Sequence, residues 1–208
     1  MYLSKLTICT TSPQVLRALG DLHALHRLVL RGFPDAEEGG TGRVLYRLES
    51  RQSPRDTPTL IVQSEKQPDW SPLRDLVVAQ GPKVWEPEFS VEQKLQFRLR
   101  ATPTKKTFFG PESRHPGHRR VALTTEQEQR EWFLRKAGEA GFAVLSLRLT
   151  TIGWQGGQKS DGASLRHHGV DFEGVLTVTD PVLFAEALAA GIGAAKGFGF
   201  GLLSVARA

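Results

Sequence analysis

The chain has 208 residues, of which 39% are hydrophobic and 24% charged, a composition typical of a folded globular protein rather than a disordered one. At roughly 150 residues per domain, this length predicts one large domain or two small ones. The single cysteine, Cys9, excludes an internal disulfide and a cysteine-rich zinc site. No apolar run approaches the roughly 18 residues of a membrane span, and the N-terminus lacks the apolar stretch of a secretory signal, so we expect a cytoplasmic protein.

The net charge is +5, and the excess is confined to the middle of the chain. Residues 94–136 carry 11 Lys and Arg against 4 Asp and Glu, whereas residues 1–93 and 137–208 each have a net charge of −1. A localised basic segment is typical of a protein that binds a polyanion, usually nucleic acid. The alternative is a solvated basic surface that keeps the protein soluble.

The predicted elements of the first half follow the order β-α-β-β-α-β. They are a strand at 2–9, a helix that Pro13 opens and that carries leucines three and four residues apart, strands at 43–50 and 59–65, a short helix near 71–76, and a strand at 93–101. In the last strand Leu95, Phe97 and Leu99 alternate with polar residues. This order predicts a ferredoxin-like unit of about 100 residues.

The same order repeats in coarse outline in the second half. Its predicted elements are a strand at 120–124, a helix capped by Thr125 with Glu128, strands at 142–151 and 170–180, a helix at 182–190, and a strand at 201–206. The polar, glycine-rich stretch 153–164 is either disordered or the tip of a hairpin. We therefore expect an α+β fold with two tandem ferredoxin-like (RRM-like) βαββαβ domains. The predicted division is 1–101, a linker at 102–118 rich in proline and glycine, and 119–208.

A histidine pair is the first candidate for chemistry. His23 and His26 are three residues apart on a predicted helix and therefore share a face. One imidazole can take the proton of a ribose 2′-OH while the other protonates the departing 5′ oxygen, and Arg27 and Arg31 can stabilise the charge on the phosphate. The alternative is a pair of surface or packed histidines. A metal site is less favoured because no third ligand is evident.

The glycine-rich segment 191–205 is the second candidate. No Lys-Ser/Thr pair closes it as in a P-loop, and its glycines precede a strand, unlike those of a dinucleotide fingerprint. The stretch KGFGF at 196–200 resembles the core of an RNA-recognition motif, although Gly201 interrupts it. Closely spaced glycines beside Lys196 let backbone N–H groups approach an anion. A tight turn that packs on the sheet is the alternative.

The third candidate is the basic stretch FRLRATPTKKT at 97–107. Arg98 and Arg100 share a strand face, Lys105 and Lys106 follow the turn, and further basic residues extend the run toward Arg120. This placement suits phosphate contacts, and a solvated sheet face is the alternative.

Together these stretches resemble the CasE family, the repeat-processing endoribonucleases of type I-E CRISPR systems. The resemblance runs along nearly the whole chain through MYLSKL, DLHALHRL, YRLES, FRLRATPTKK, VDFEGVLTVTD and, most specifically, GIGAAKGFGFGLLSVA. It implies two ferredoxin-like domains and an enzyme that binds the stem-loop of a CRISPR repeat in precursor RNA. It also implies one metal-independent cut at the 3′ base of the stem by 2′-OH attack, which leaves a 2′,3′-cyclic phosphate or a 3′-phosphate. The product then stays bound, and the protein becomes a subunit of the Cascade complex.

The family's catalytic histidine falls on His26, and its catalytic tyrosine falls on His23, which is a departure. We hypothesise that His23 replaces the tyrosine in a two-histidine mechanism. The region from Gln158 to His168, including His167, is a further candidate for RNA contacts. The predicted RNA-binding residues are Arg27, Arg31, Arg98, Arg100, Lys105, Lys106, Arg119, Arg120, Lys159, Arg166, Lys196, Gly197 and Gly199.

We expect no cofactor, no metal and no membrane contact, with repeat RNA and the other Cascade subunits as partners. The rival prediction is an RRM-like RNA-binding module, or a decayed family member, without cleavage activity. A metal-dependent nuclease or a general chaperone of single-stranded RNA is disfavoured because no acidic cluster lies near the histidines in the sequence.

Overall fold

Two antiparallel four-stranded sheets, each with its own hydrophobic core, organise the protein. The computed structural model describes residues 1–33, 40–49, 53, 56–114, 117–158, 162 and 164–208. Within these ranges, no helix is both long and apolar enough to cross a membrane.

The first sheet has the strand order β2-β3-β1-β4. Its elements are β1 (Tyr2–Ile8), α1 (Pro13–Gly20), α2 (Leu22–Leu30), β2 (Val44–Leu48), β3 (Thr59–Ser64), a 3₁₀ turn (Ser71–Leu73) and β4 (Val77–Val84). Val15 of α1 and Leu25 and Val29 of α2 are buried in the same core as Leu6 and Val62 of the sheet. The 3₁₀ turn occupies the place of the second helix in the ferredoxin-like pattern.

The second sheet has the strand order β10-β5-β9-β8. Its elements are β5 (Lys94–Ala101), α3 (Glu126–Glu139), β8 (Phe142–Gln158), β9 (Ser164–Val178), α4 (Pro181–Ala190) and β10 (Leu203–Arg207). Phe133 of α3 stacks on Phe97 and Phe172 of the sheet, with ring centroids 5.4 and 4.6 Å apart. The Thr125 side chain accepts a hydrogen bond from the Glu128 amide, which confirms the predicted cap of α3. The two tandem ferredoxin-like domains expected from the sequence are confirmed.

The boundary between the domains differs from the predicted one. The alternation of Leu95, Phe97 and Leu99 correctly predicts a strand, but β5 pairs with β9 and β10 and not with the first sheet. The first sheet is completed by β4, which the sequence analysis missed. Because Pro82 cannot donate to a ladder, it disfavours a strand in the sequence, and β4 tolerates it at the edge of the sheet.

The segment predicted as a linker, 102–118, is also corrected. It contains β6 (Thr104–Phe109) and the start of β7 (Gly117–Ala122), which form a separate two-stranded hairpin. The chain instead passes from the first sheet to the second between β4 and β5, so the domains divide near residues 85–93.

Two further elements refine the predicted organisation. The single predicted helix after Pro13 is divided into α1 and α2 at Asp21, whose extended backbone interrupts the helix and whose side chain caps α2. The glycine-rich stretch 153–164 extends β8 and reaches the start of β9, so the hairpin alternative is confirmed over the described residues.

Candidate active site

The histidine pair lies on α2 as predicted. Asp21 begins this helix by accepting a hydrogen bond from the Ala24 amide at 2.8 Å, and the imidazoles of His23 and His26 then follow on one face with ring centroids 6.4 Å apart. Both side chains are half-buried. The arrangement brings two imidazoles to one edge of the first domain, where the second domain meets it.

His26 is held by the glycine-rich loop that follows α4. Its imidazole packs against Phe198, with ring centroids 5.5 Å apart. A Cβ at Gly197 would lie 3.5 Å from its Cε1, so the backbone of the loop runs directly beside the ring. Among the described residues, Nδ1 of His26 is buried without a hydrogen-bond partner.

The environment favours the neutral form of His26. Burial, the largest cause, lowers the pKa of the imidazole below its ordinary value, and the charge of His23 lowers it further. The Gly197 backbone acts in the opposite direction but does not reverse the shift. A neutral imidazole near pH 7 can accept a proton.

Tyr46 of β2 holds the glycine-rich loop in place. Its hydroxyl donates a hydrogen bond to the Gly197 carbonyl at 2.9 Å, and a Cβ at Gly199 would lie 3.1 Å from its ring. Gly199 also has a φ of 82°, which favours glycine. A buried side chain of the first domain thus fixes the loop that packs on His26.

His167 of β9 completes the cluster from the second sheet. Its ring stacks on Phe198 at a centroid distance of 5.7 Å and contacts Phe200 at 5.8 Å. Burial lowers the pKa of His167, and no described residue forms a hydrogen bond with its Nε2. The sequence analysis named His167 only as a possible RNA contact, because no local pattern connects it to His26.

A carboxylate links the histidine helix to the β8–β9 hairpin. Asp21 Oδ2 accepts a hydrogen bond from the Gln158 amide at 2.9 Å, and a Cβ at Gly157 would lie 2.8 Å from Asp21 Oδ1. Burial raises the pKa of Asp21, but the surrounding backbone amides of Ala24, Gln158 and His23 outweigh it, so the pKa is lowered and the carboxyl stays ionised. The end of β8 is therefore attached to the first turn of α2.

Arg98 and Arg100, predicted as phosphate contacts, are paired with carboxylates at the junction of the two sheets. Arg100 is 7% exposed and forms two hydrogen bonds with Asp171, at 2.7 and 2.8 Å. Arg98 lies between Glu49 and Glu173, at 2.7 and 2.6 Å. This pairing does not favour phosphate binding by either residue, and it leaves Arg100 a structural role between the domains.

The side chain of Lys196 also has a partner within the protein. Its ammonium donates to the Ala190 carbonyl at the end of α4, at 2.8 Å. Burial, followed by the charges of Arg43 and Lys136, lowers its pKa. It lines a groove of about 510 Å³ that also contains Lys106 and Arg120, so its charge contributes to a basic surface that the sequence did not reveal.

The β6–β7 hairpin presents the predicted basic residues on opposite faces. Lys106 and Arg120 are directly opposed in the register and exposed. On the other face, Lys105 pairs with Glu128 at 3.1 Å, and the Arg119 guanidinium lies 5.5 Å from the Phe109 ring. Two like charges opposed on a hairpin are unfavourable by themselves and favour a bound anion.

Arg27 and Arg31 lie on the α1 side of α2. With Arg17, which the sequence analysis missed, they line a groove of about 500 Å³ between the two helices. Arg31 also donates to the Pro72 carbonyl at 2.8 Å. The cationic groove runs beside the helix that bears the histidine pair.

Of the remaining predicted residues, Arg166 lies on β9 with its guanidinium over Trp154, 4.6 Å from the ring centroid. Lys159 lies outside the described residues. In the part of the chain that the structure describes, no group of three His, Cys, Asp or Glu side chains is placed to hold a metal ion.

The fold and the site define a protein of two tandem ferredoxin-like domains, with imidazoles from both domains gathered at their junction and basic grooves beside them. The model of a family described as CRISPR associated protein matches residues 1–207, and the chain belongs to this family. The resemblance to CasE proteins seen in the sequence is confirmed.

Two curated relatives match the chain over nearly its full length. The CRISPR-associated endoribonuclease Cse3 of Thermus thermophilus is 35% identical over 99% of this chain and 100% of its own length. The CRISPR system Cascade subunit CasE of Escherichia coli K12 is 32% identical over 99% of both chains. A solved structure of Thermus thermophilus Cse3, bound to an RNA that represents a pre-cleavage complex, is 32% identical. It covers 99% of this chain and 98% of the other, with a TM-score of 0.84.

Proposed function

We propose that this chain is an endoribonuclease that binds the stem-loop of a CRISPR repeat and cuts the precursor RNA at the 3′ base of the stem. Relatives named as an endoribonuclease and as a Cascade subunit, matched over 99% of the chain, support this function. After cleavage the protein retains the mature RNA and joins the other Cascade subunits. Retention follows where the same contacts hold substrate and product, because uniform binding does not speed turnover.

The proposed mechanism divides two proton transfers between the histidines. His26 accepts the proton of the 2′-OH, and the resulting oxygen attacks the adjacent phosphorus. The bond from phosphorus to the 5′ oxygen breaks, and His23 donates a proton to that oxygen. The products are a 2′,3′-cyclic phosphate and a 5′-OH, and no metal or cofactor takes part in the step.

The lowered pKa of His26 supports its assignment as the base, because a neutral imidazole can accept a proton. We assign the proton donation to His23, which lies on the same face of α2. Arg27 lies on the α1 side of α2, so its charge contributes to the basic groove beside the histidine pair. The groove lined by Arg17, Arg27 and Arg31 and the Lys106–Arg120 pair of the β6–β7 hairpin supply positive charge for the stem.

One observation carries the proposal: His26, half-buried between Phe198 and the Gly197 backbone, faces the same side of α2 as His23. The test is incubation of the purified protein with a synthetic repeat RNA in EDTA, beside the same RNA with a single 2′-deoxy nucleotide at the cut. We expect one cut, a 2′,3′-cyclic phosphate end, and no cleavage of the deoxy RNA. Cleavage that EDTA abolishes, or that the 2′-deoxy substitution leaves intact, would contradict the mechanism.

The departure at His23 leaves RNA binding without cleavage as the rival function. Positioned acid–base groups contribute about 100- to 10,000-fold to a rate. We therefore expect His23→Ala to slow single-turnover cleavage by at least about 100-fold, with RNA affinity nearly unchanged. A loss below about tenfold would remove His23 from the mechanism, and intact RNA with the wild-type protein would favour the rival.

A further inference from the structure

Trp154 of β8 is a large aromatic side chain that remains 50% exposed. The Arg166 guanidinium lies over its ring, 4.6 Å from the centroid, and the imidazole of His168 meets it edge-on at 5.2 Å. The protein therefore supports the indole from two directions while part of it stays accessible.

The backbone around Trp154 explains this exposure. The register shifts between Thr151 and Gly153, where β8 contains one extra residue, and Gly153 has a φ of 87°. Such a bulge changes the direction of the following side chain. Gly156, two residues further along the strand, has no side chain to cover the ring.

Trp154 also lines a groove of about 270 Å³ between α2, the β8–β9 hairpin and the glycine-rich loop. Gly156, Phe198, Gly199 and Leu22 of α2 line the same groove. Because Phe198 packs on His26, the groove is adjacent to the proposed cleavage site.

The charges in the groove do not favour a phosphate. Two charged side chains, Asp21 and Arg100, are among its lining residues. Arg100 is neutralised by Asp171, whereas Asp21 is an ionised carboxylate that would repel a phosphate. Aromatic and glycine surfaces beside a carboxylate instead suit a flat, uncharged group with hydrogen-bond donors on its edge.

His168 adds an independent sign of a ligand. It is 6% exposed, and its Nδ1 has no hydrogen-bond partner in the part of the chain that the structure describes. Unpartnered buried polar atoms are uncommon, and three of the four such side-chain atoms in the described residues belong to His26, His167 and His168. His26 and His167 both pack on Phe198 of the glycine-rich loop, whereas His168 packs on Trp154.

We propose that this groove binds one unpaired nucleobase of the RNA, next to the cut linkage, stacked on Trp154. The inference rests on the proposed function, since it names a subsite for the same substrate. The Arg166 guanidinium holds the indole of Trp154 in place through a cation–π contact. Any nucleobase can stack on the indole, because stacking on an aromatic ring needs only the π-face of the base. The subsite places the nucleotide beside the scissile phosphate and so contributes to alignment of the 2′-OH.

The test uses repeat RNAs that each carry a single 2-aminopurine at one unpaired position flanking the cut. We expect fluorescence at one position to be quenched on binding to the wild-type protein and to Trp154→Phe, and the quenching to be lost with Trp154→Ala. Loss of one stacked base weakens binding by about 5- to 150-fold, so we expect about tenfold for Trp154→Ala. The matched control is Val182→Ala, a truncation at an apolar residue with 67% exposure on α4, which should change neither readout.

An abasic nucleotide at the quenched position separates the base from the backbone. With that RNA, Trp154→Ala should bind as well as the wild type. A Trp154→Ala protein that binds unmodified RNA normally, or that stays weaker with abasic RNA, overturns the subsite but not the proposed function. A wild-type protein that neither binds nor cuts the repeat RNA overturns both.

Discussion

Asp21 links α2, which bears the histidine pair, to the β8–β9 hairpin. Replacing its side chain therefore tests whether the hairpin helps to position the histidines. One carboxylate caps α2 through the Ala24 amide at 2.8 Å and holds the Gln158 amide of the hairpin at 2.9 Å. Replacing an N-cap aspartate by alanine costs about 1 kcal/mol. The exposed bond to Gln158 adds about 1 kcal/mol, below the usual range for a charged partner. We therefore expect Asp21→Ala to lower the free energy of unfolding by about 2 kcal/mol.

In a protein of this size, that change corresponds to a decrease in Tm of about 4–8 °C. The effect on cleavage should be larger than stability alone would give, since His23 is the second residue of the turn that Asp21 caps. A displacement of about 1 Å at a reacting group can cost about 100-fold, and we expect single-turnover cleavage to fall by at least about tenfold. Asp21→Asn retains one acceptor oxygen and should show about half of the stability loss.

Asp180 provides the matched control. It caps α4 through the Val182 and Leu183 amides at 2.9 and 3.0 Å, away from the histidines. Asp180→Ala should lower Tm by about 2–4 °C and leave cleavage unchanged when both variants are assayed well below their Tm. Normal cleavage by Asp21→Ala, or an equal loss of cleavage in Asp180→Ala, would refute the proposed coupling between hairpin and helix.

Three other predictions concern pairing, pH and salt. Asp171→Ala leaves the Arg100 guanidinium buried without its carboxylate and should cost about 3–5 kcal/mol in denaturant unfolding, and a loss below about 1 kcal/mol would contradict a structural role. Because burial lowers the pKa of His26 and the neutral form is the base, the rise of kcat/KM with pH should have its midpoint below about 6.5, and a midpoint above that value would contradict the assignment. Lys106→Ala and Arg120→Ala should each reduce the slope of log affinity against log salt by about one unit, and an unchanged slope would place phosphate binding elsewhere.

Local patterns in the sequence predict local features well. The spacing of His23 and His26 places them on one helical face, and Thr125 begins α3 where the capping pattern expects it. Which strands pair is not local information. The alternation of Leu95, Phe97 and Leu99 is compatible with either sheet. The assignment of β5 depends on hydrogen bonds to β9 and β10, which lie more than 60 residues away in the chain.

The same reason limits what the sequence can predict about the site. The sequence pattern places Arg100 on a basic strand face, but pairing of β5 with β9 puts Asp171 opposite it. Phe198 contacts both His26 and His167, so these residues from distant segments meet only in the folded protein. The pattern of basic residues identifies the class of ligand, but contacts between distant segments determine which of those residues remain available to it.

The central claim is that His26 transfers a proton at the cut linkage and is not primarily an RNA-binding residue. The most direct measurement is single-turnover cleavage of a synthetic repeat RNA by His26→Ala in EDTA, with RNA affinity determined in the same samples. The account predicts a rate at least about 100-fold below that of the wild type, with affinity within a few-fold. Cleavage at the wild-type rate, or a loss of affinity large enough to explain the slower cleavage, would contradict it.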